Sequence, residues 1–267
     1  MRSIAIGQGL IAIASASVAV FSLAYGEFAP GGIALPAWMP WPQACIVATA
    51  LLVLAASAGI CFPRTAPVGA LIIVVYEAAW TVFPLPGVLP SPLSFGAWYP
   101  ACEGLSALVG AWILYALLRS APGGPEVPAA AAGSVRAAQI LFGLSCVVYG
   151  GSHFAYAEYT AGMVPGWLPA RLGLAYFTGL GHVAAGIGLI FGILPRLAAT
   201  LEAIMMSLFG LLVWVPTFFM QPTPQWATPP HTQWSELVVN LVLAASAWVV
   251  AISLENRPWG FAMRPRA

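Results

Sequence analysis

Charge is what this sequence has least of. Only 6% of its 267 residues are charged, and Lys and Asp do not occur at all, so every charge is an Arg or a Glu. A soluble domain of this length cannot cover its surface with so few charges, and the chain reads as an integral membrane protein. Its formal net charge of +1 offers no basic field, which excludes nucleic acid as a partner. Cys45, Cys61, Cys102 and Cys146 form no Cys-x-x-Cys pair and sit in or beside apolar runs, as small buried hydrophobes do. Cys45 and Cys102 fall near the same face at helix ends, so a bridge between them stays open. The sequence also has no phosphate-cradling Gly-rich loop, Ser/His/Asp set, tetrahedral metal-ligand cluster or ladder of voltage-sensing charges.

What the sequence does have is apolar length. Hydrophobic residues make up 61% of it, with a mean hydropathy of +0.90. A bilayer core needs about 20 apolar residues per helix. Eight runs meet that need, at about 3–25, 43–62, 66–83, 97–118, 135–156, 173–194, 197–219 and 235–254. The fold class expected is all-α, with eight transmembrane helices.

A doubled motif organises them. Pro36-Ala37-Trp38-Met39-Pro40 returns as Pro165-Gly166-Trp167-Leu168-Pro169, each preceded by a polar-Phe pair (Glu27-Phe28, His153-Phe154). Each is followed by an apolar run ending in Pro-Arg (Pro63-Arg64, Pro195-Arg196), then by Trp98/Trp112 or Trp234/Trp248. The offsets drift from 126 through 129 and 132 to 136, as small loop insertions produce. Such self-similarity is the mark of a tandem duplication. It predicts a first four-helix repeat over 1–119, an Ala/Gly/Pro-rich linker over 120–134, a second repeat over 135–256 and an Arg-containing tail over 257–267. With four spans each, the repeats enter the membrane in the same orientation, related by an axis along its normal. The first run has signal-peptide features, but its repeat partner is internal, so a retained helix is expected.

Arg2, Arg64, Arg119, Arg136, Arg196, Arg257, Arg264 and Arg266 fall on one side of this topology and only Arg171 on the other. The excess of positive charge marks the cytoplasmic side and puts both termini there. The composition, rich in Ala, Gly and Pro, points to a GC-rich bacterial genome and hence a bacterial inner membrane. Trp38, Trp41, Trp98, Trp167, Trp226 and Trp234 map to the exterior loops, either as interfacial anchors or as stiff Pro-bracketed segments dipping along the bundle.

Ionisable groups within spans need a reason. Glu77 lies about 18 Å from the cytoplasmic start of its helix and Glu103 about 9 Å from the exterior end of the next. They are read either as a helix-locking hydrogen-bonded pair or as a polar pocket. His153 and His182 lie at similar depths, able to face one exterior-half cavity. Three readings stay open for them: structural histidines, donors to a quinone-type carbonyl, or axial haem ligands. Haem is disfavoured, because the first half has no matching pair and Cys-x-x-Cys-His is missing. Glu202 lies near Arg196, as a snorkelled interfacial ion pair would. Glu236 and Asn240 share a helix face that can close the histidine pocket. Glu27, Glu158 and Arg171 fall in exterior loops, where solvent suffices for them. The small-residue run Gly179-Gly181-Ala184-Ala185-Gly186-Gly188 signals close helix packing.

Residues 136–252 resemble the DoxX-like family of four-helix membrane proteins. The resemblance rests on Gly151-Ser152-His153-Phe154, Val164-Pro165-Gly166-Trp167-Leu168-Pro169, Ala175-Tyr176-Phe177-Thr178-Gly179, Pro195-Arg196-Leu197-Ala198-Ala199 and a Trp before the last helix. In that family a carboxylate commonly follows the Thr-Gly; here His182 holds the corresponding position. The resemblance implies a subunit of a membrane redox assembly, respiratory or quinone-linked, with membrane lipids and other subunits as partners. The site expected is quinone- or lipid-sized, with His153 and His182 on the polar end and Trp167, Phe154 and Tyr176 as the apolar wall. Two other classes remain: a non-catalytic assembly protein docking a partner through its Pro/Trp loops, and a small-solute transporter.

Overall fold

The computed structural model describes residues 2–33, 35–119, 129–219 and 230–260. Linker residues 120–128, Trp226, and tail residues 261–267 with Arg264 and Arg266 lie outside them. Among the described residues the chain is helical, with one isolated bridge, Ala29 to Ile33, and no strand. The helices are α1 (Arg2–Tyr25), α2 (Pro42–Ile60), α3 (Ala66–Val82), α4 (Phe95–Leu118), α5 (Ala129–Ala155), α6 (Ala157–Met163), α7 (Arg171–Phe191), α8 (Pro195–Phe209), α9 (Val215–Thr217) and α10 (Pro230–Ser253). Among the described residues eight helical stretches are long and apolar enough to cross a membrane, and they coincide with the eight expected runs to within a few residues. Residues 129–134, expected in the linker, instead begin α5.

Local chemistry sets the ends. Pro42, Pro195 and Pro230 open their helices, where a missing N–H costs no hydrogen bond. Gly26 and Gly192 follow helices with φ of 69° and 71°, the left-handed conformation that ends a helix most cheaply. Trp41, Ala170 and Leu194 hold positive φ without being glycine, each just before a helix. Near the top of α8, Val215 N–H reaches back five residues to Gly210 O, making a π turn over Gly210–Trp214. Pro216 lies just beyond it and cannot donate to the α-helical ladder.

The helices pack in chain order: α1 on α2, α2 on α3, α3 on α4, α4 on α5, α5 on α7, α7 on α8, α8 on α10, and α10 back on α1, with α4 against α10 through the middle. Two ends follow. At the arginine end, Gln8 Nε2 donates to Ile60 O and Arg196 to Arg257 O, and Arg136 donates to Leu189 O and Ile190 O, capping the C-terminus of α7. At the loop end, Gly31 N–H donates to Ser235 Oγ and His231 Nε2 meets Glu27 Oε1 at 2.7 Å. Glu27 is therefore paired rather than merely solvated. All four cysteines are free, so Cys45 and Cys102 are not bridged.

The tightest seam joins α5 and α7. A Cβ on Gly186 would lie 2.6 Å from Gly143 O, and one on Gly150 would lie 2.6 Å from Gly179 O, nearer than real Cβ atoms come. Gly181 faces the other way, where an added Cβ would meet only the Met205 side chain at 3.2 Å. Gly186→Ala is therefore expected to destabilise by about 1–3 kcal/mol, whereas Gly181→Ala is expected to be near neutral. Thermal denaturation of the two variants in detergent checks the contrast, and equal losses would contradict it.

Candidate functional site

Between α7 and α8 the packing opens into a cavity of about 1140 Å³. Its walls come from α7 and α8, its back from α4, α5 and α10, and its loop-end rim from α6 and the segment before α7. Most of the lining is apolar, from Leu168 and Phe177 near the loop end to Ile193 and Leu197 near the arginine end. The polar groups gather in the middle and toward the loop end.

His182 and Glu202 are the centre of that polar cluster. Nδ1 of His182 meets Oε1 of Glu202 at 2.8 Å, with side chains only 1% and 0% exposed. The other carboxylate oxygen, Oε2, makes no hydrogen bond among the described residues. The expected pairing of Glu202 with Arg196 is corrected here. Arg196 lies 4.0 Å over the Trp259 ring and donates to Arg257 O, while Glu202 points inward across the α7–α8 hairpin. Residue counting explains the match. From the turn at Ile193, His182 is eleven residues up α7 and Glu202 nine up α8, so at 1.5 Å per residue their depths differ by about 3 Å.

His153 joins them from α5. Its ring centre is 5.0 Å from that of His182, edge to face, and Phe209 lies against both rings. Nδ1 of His153 bonds Thr178 Oγ1 at 3.0 Å and Ala175 O at 3.2 Å, which holds the ring against α7. Tyr149 packs on the far side of His182 and its hydroxyl bonds Ser106 of α4. Ser152, buried and lining the cavity, has no hydrogen bond for its hydroxyl among the described residues.

The other expected residues divide. Glu103, Glu236 and Asn240 all line the cavity, so Glu103 of α4 belongs to this site and not to a separate pocket with Glu77. Glu77 is buried away from it beside Tyr76, its Oε2 without a hydrogen bond, and does not meet Glu103. The proposed wall is also corrected. Phe154 and Tyr176 stack on each other, half-exposed, and Trp167 is 72% exposed; none lines the cavity. For Phe154 and Tyr176 side-chain direction is the cause, because depth along a helix leaves its rotation free, whereas Trp167 lies in the loop before α7 and turns outward there. Phe177, Phe209 and Trp214 take that place. At the rim, burial and then the Glu236 carboxyl raise the Tyr159 phenol, keeping it protonated at neutral pH.

Among the described residues no three His, Cys, Asp or Glu side chains are arranged so that they could hold a metal ion together. What the arrangement can do is hold a polar headgroup at the histidines and an apolar body between α7 and α8. Removing one partner of the pair should strand the other: His182→Leu or Glu202→Leu is expected to cost about 3–5 kcal/mol, and the double variant much less than their sum. Denaturation of the three variants in detergent measures the coupling, which an additive result would deny.

Residues 142–251, which include the whole polar cluster except Glu103 and Ser106 of α4, match a family described only as a domain of unknown function (DUF8561). No curated protein and no solved structure matches the chain.

Proposed function

We propose that this chain is a multi-pass membrane protein that takes a quinone- or lipid-sized ligand into the α7–α8 cavity and serves as a subunit of a redox-associated assembly. The cavity carries the reading. It exceeds the volume of about 300–1,000 Å³ typical of small-molecule pockets, and it combines a long apolar lining with a few convergent polar groups. An isoprenoid or acyl tail fits that lining, and a headgroup fits His153, His182 and Ser152. The redox role follows from the resemblance of residues 136–252 to DoxX-like proteins.

Several observations support the setting. Ile13, Val75 and Phe191 turn outward from the bundle at 61%, 65% and 71% exposure, as lipid-facing residues do. Arg64, Arg119, Arg136, Arg196 and Arg257 sit toward one end and Arg171 at the other, in keeping with cytoplasmic termini and an inner membrane. The duplication is supported by the packing, which maps onto itself when the halves exchange: α4 on α5 answers α10 on α1, and α4 meets α10. Gly110 and Ser246, 136 apart like the tryptophan pairs, touch each other, as equivalent residues beside a two-fold axis do. Trp41 and Ala170, 129 apart like the proline brackets, share the left-handed conformation.

A second reading, a non-catalytic assembly protein, is favoured by Trp38, Trp41 and Trp167, exposed at 76%, 81% and 72%. Loss of a co-purifying subunit in Trp38→Ala or Trp167→Ala would support it.

Trp214 lines the cavity and offers a reporter. Decylubiquinone titrated into the protein in nanodiscs is expected to quench its emission saturably, and to do so no longer in Trp214→Phe. Gly181→Phe, which projects a ring into the cavity between α7 and α8, is expected to weaken binding strongly while leaving the helical content intact. Failure of the unmodified protein to bind would remove the ligand reading.

A further inference from the structure

The hydrogen bonds already made inside the cavity determine what its two histidines have left to offer. Both partners of His153 Nδ1 accept: one is the Ala175 carbonyl, and the other is Thr178 Oγ1, whose own hydrogen goes to Leu174 O or Ala175 O. Nδ1 therefore carries the ring hydrogen, and Nε2 of the neutral ring is a bare acceptor. His182 is placed differently. Its Nδ1 shares one proton with Glu202 Oε1, the two side chains are buried at the edge of the cavity, and Arg196 turns away from them to Arg257 O. A buried pair of this kind is held net neutral, since an unbalanced charge there is far costlier. Two forms satisfy that condition, imidazolium with carboxylate and imidazole with carboxylic acid donating to Nδ1. In both, Nε2 of His182 bears a hydrogen. A charge on the His153 ring, packed against Phe209 and the α5–α7 seam without a carboxylate partner, would be costly to desolvate in either form, and in the ion-pair form His182 would repel it as well, so His153 stays neutral.

The site thus presents one donor and one acceptor on rings whose centres are 5.0 Å apart, and neither Nε2 makes a hydrogen bond among the described residues. Ser152 adds an unpartnered buried hydroxyl. We propose that the cavity recognises a hydroxyl on an apolar body: the oxygen accepts from His182 Nε2–H while the hydrogen is given to His153 Nε2. The phenolic hydroxyl of a hydroquinone and the hydroxyl of a lipid alcohol share this chemistry. A quinone carbonyl does not, since it satisfies His182 and leaves His153 unpaired. This rests on the ligand reading above and narrows it to the reduced form of the headgroup.

Two measurements on the full chain in nanodiscs test the proposal. With only three histidines in the chain, ¹⁵N-histidine labelling resolves each ring, and His231→Gln removes the one outside the cavity. Hydrogen on Nδ1 of His153 and on Nε2 of His182 is expected; a bare Nε2 on His182 would overturn the proposal. The second measurement compares anaerobic binding of decylhydroquinone, its dimethyl ether, decylquinone and dodecanol. The unpaired acceptor predicts that decylhydroquinone binds about tenfold more tightly than decylquinone or the ether. His153→Phe should reduce that ratio to about one while quinone binding persists, which a merely structural histidine would not do. Dodecanol competing as well as decylhydroquinone assigns the site to lipid alcohols, and failing to compete assigns it to hydroquinones. Equal binding of quinone and hydroquinone refutes the hydroxyl reading alone, whereas no binding by any of the four refutes the ligand reading with it.

Discussion

Along the α5–α7 seam, Gly143, Gly150, Gly179 and Gly186 bring two backbones to a separation that no side chain could share. For a membrane protein, as we propose this chain to be, this contact matters more than it would in water, because helices surrounded by hydrocarbon gain no hydrophobic free energy by meeting. Dispersion between closely approached backbones has to do that work, helped by Arg136 on the last carbonyls of α7. The seam also sets the site. It fixes the rotation of both helices, so His153 is held by Thr178 and Ala175 and its ring reaches His182. A cavity can persist beside it because α7 is fully braced on its other side.

Across the cavity, α7 and α8 are joined mainly by their turn and by the His182–Glu202 pair. Buried pairs of this kind contribute little net stability, since desolvation offsets most of the attraction. What the pair does supply is register: a carboxylate nine residues up α8 meets an imidazole at its own depth, and sliding one helix past the other would break that bond. Above it, the π turn rotates the top of α8 by one residue relative to a regular helix. Gly210 makes room there for the Asn240 side chain, whose Oδ1 would lie 2.6 Å from an added Cβ. Phe209, at the edge of that turn, lies against both histidines.

The spans were legible because apolar length is a direct physical requirement, and the turns because Pro and Gly act locally at Pro42, Pro195 and Gly192. The proximity of His153 to His182 was legible as depth, which residue counting supplies. Rotation was not. Trp167, Phe154 and Tyr176 lie at suitable heights but turn outward, and Glu202 turns inward rather than toward Arg196. The Glu202 partner was recoverable from hairpin arithmetic about Ile193, since two residues at one depth on adjacent antiparallel helices are natural partners. Nothing local in the sequence announced the π turn except Pro216, a weak signal among 24 prolines.

If the two halves are duplicates, as we propose, their difference explains why the opening lies in the second. Aligned on Pro63-Arg64 and Pro195-Arg196, Ala70 stands where Glu202 does and Gly69 where Leu201 does. Gly69 lets α3 approach α2 so closely that a Cβ there would lie 2.6 Å from Ala56 O, which shuts the first hairpin. In the second half that position is Leu201, whose side chain could not fit such a close backbone contact and instead lines the open gap between α7 and α8. The carboxylate one position later then has space to meet a histidine instead of a backbone. Two adjacent substitutions, a larger apolar residue and a carboxylate, are therefore enough in principle to turn a closed helix hairpin into one that opens around a polar pair. In this view the first half keeps the close packing and Glu77, at the position equivalent to Phe209, remains buried without the histidines that would give it a partner.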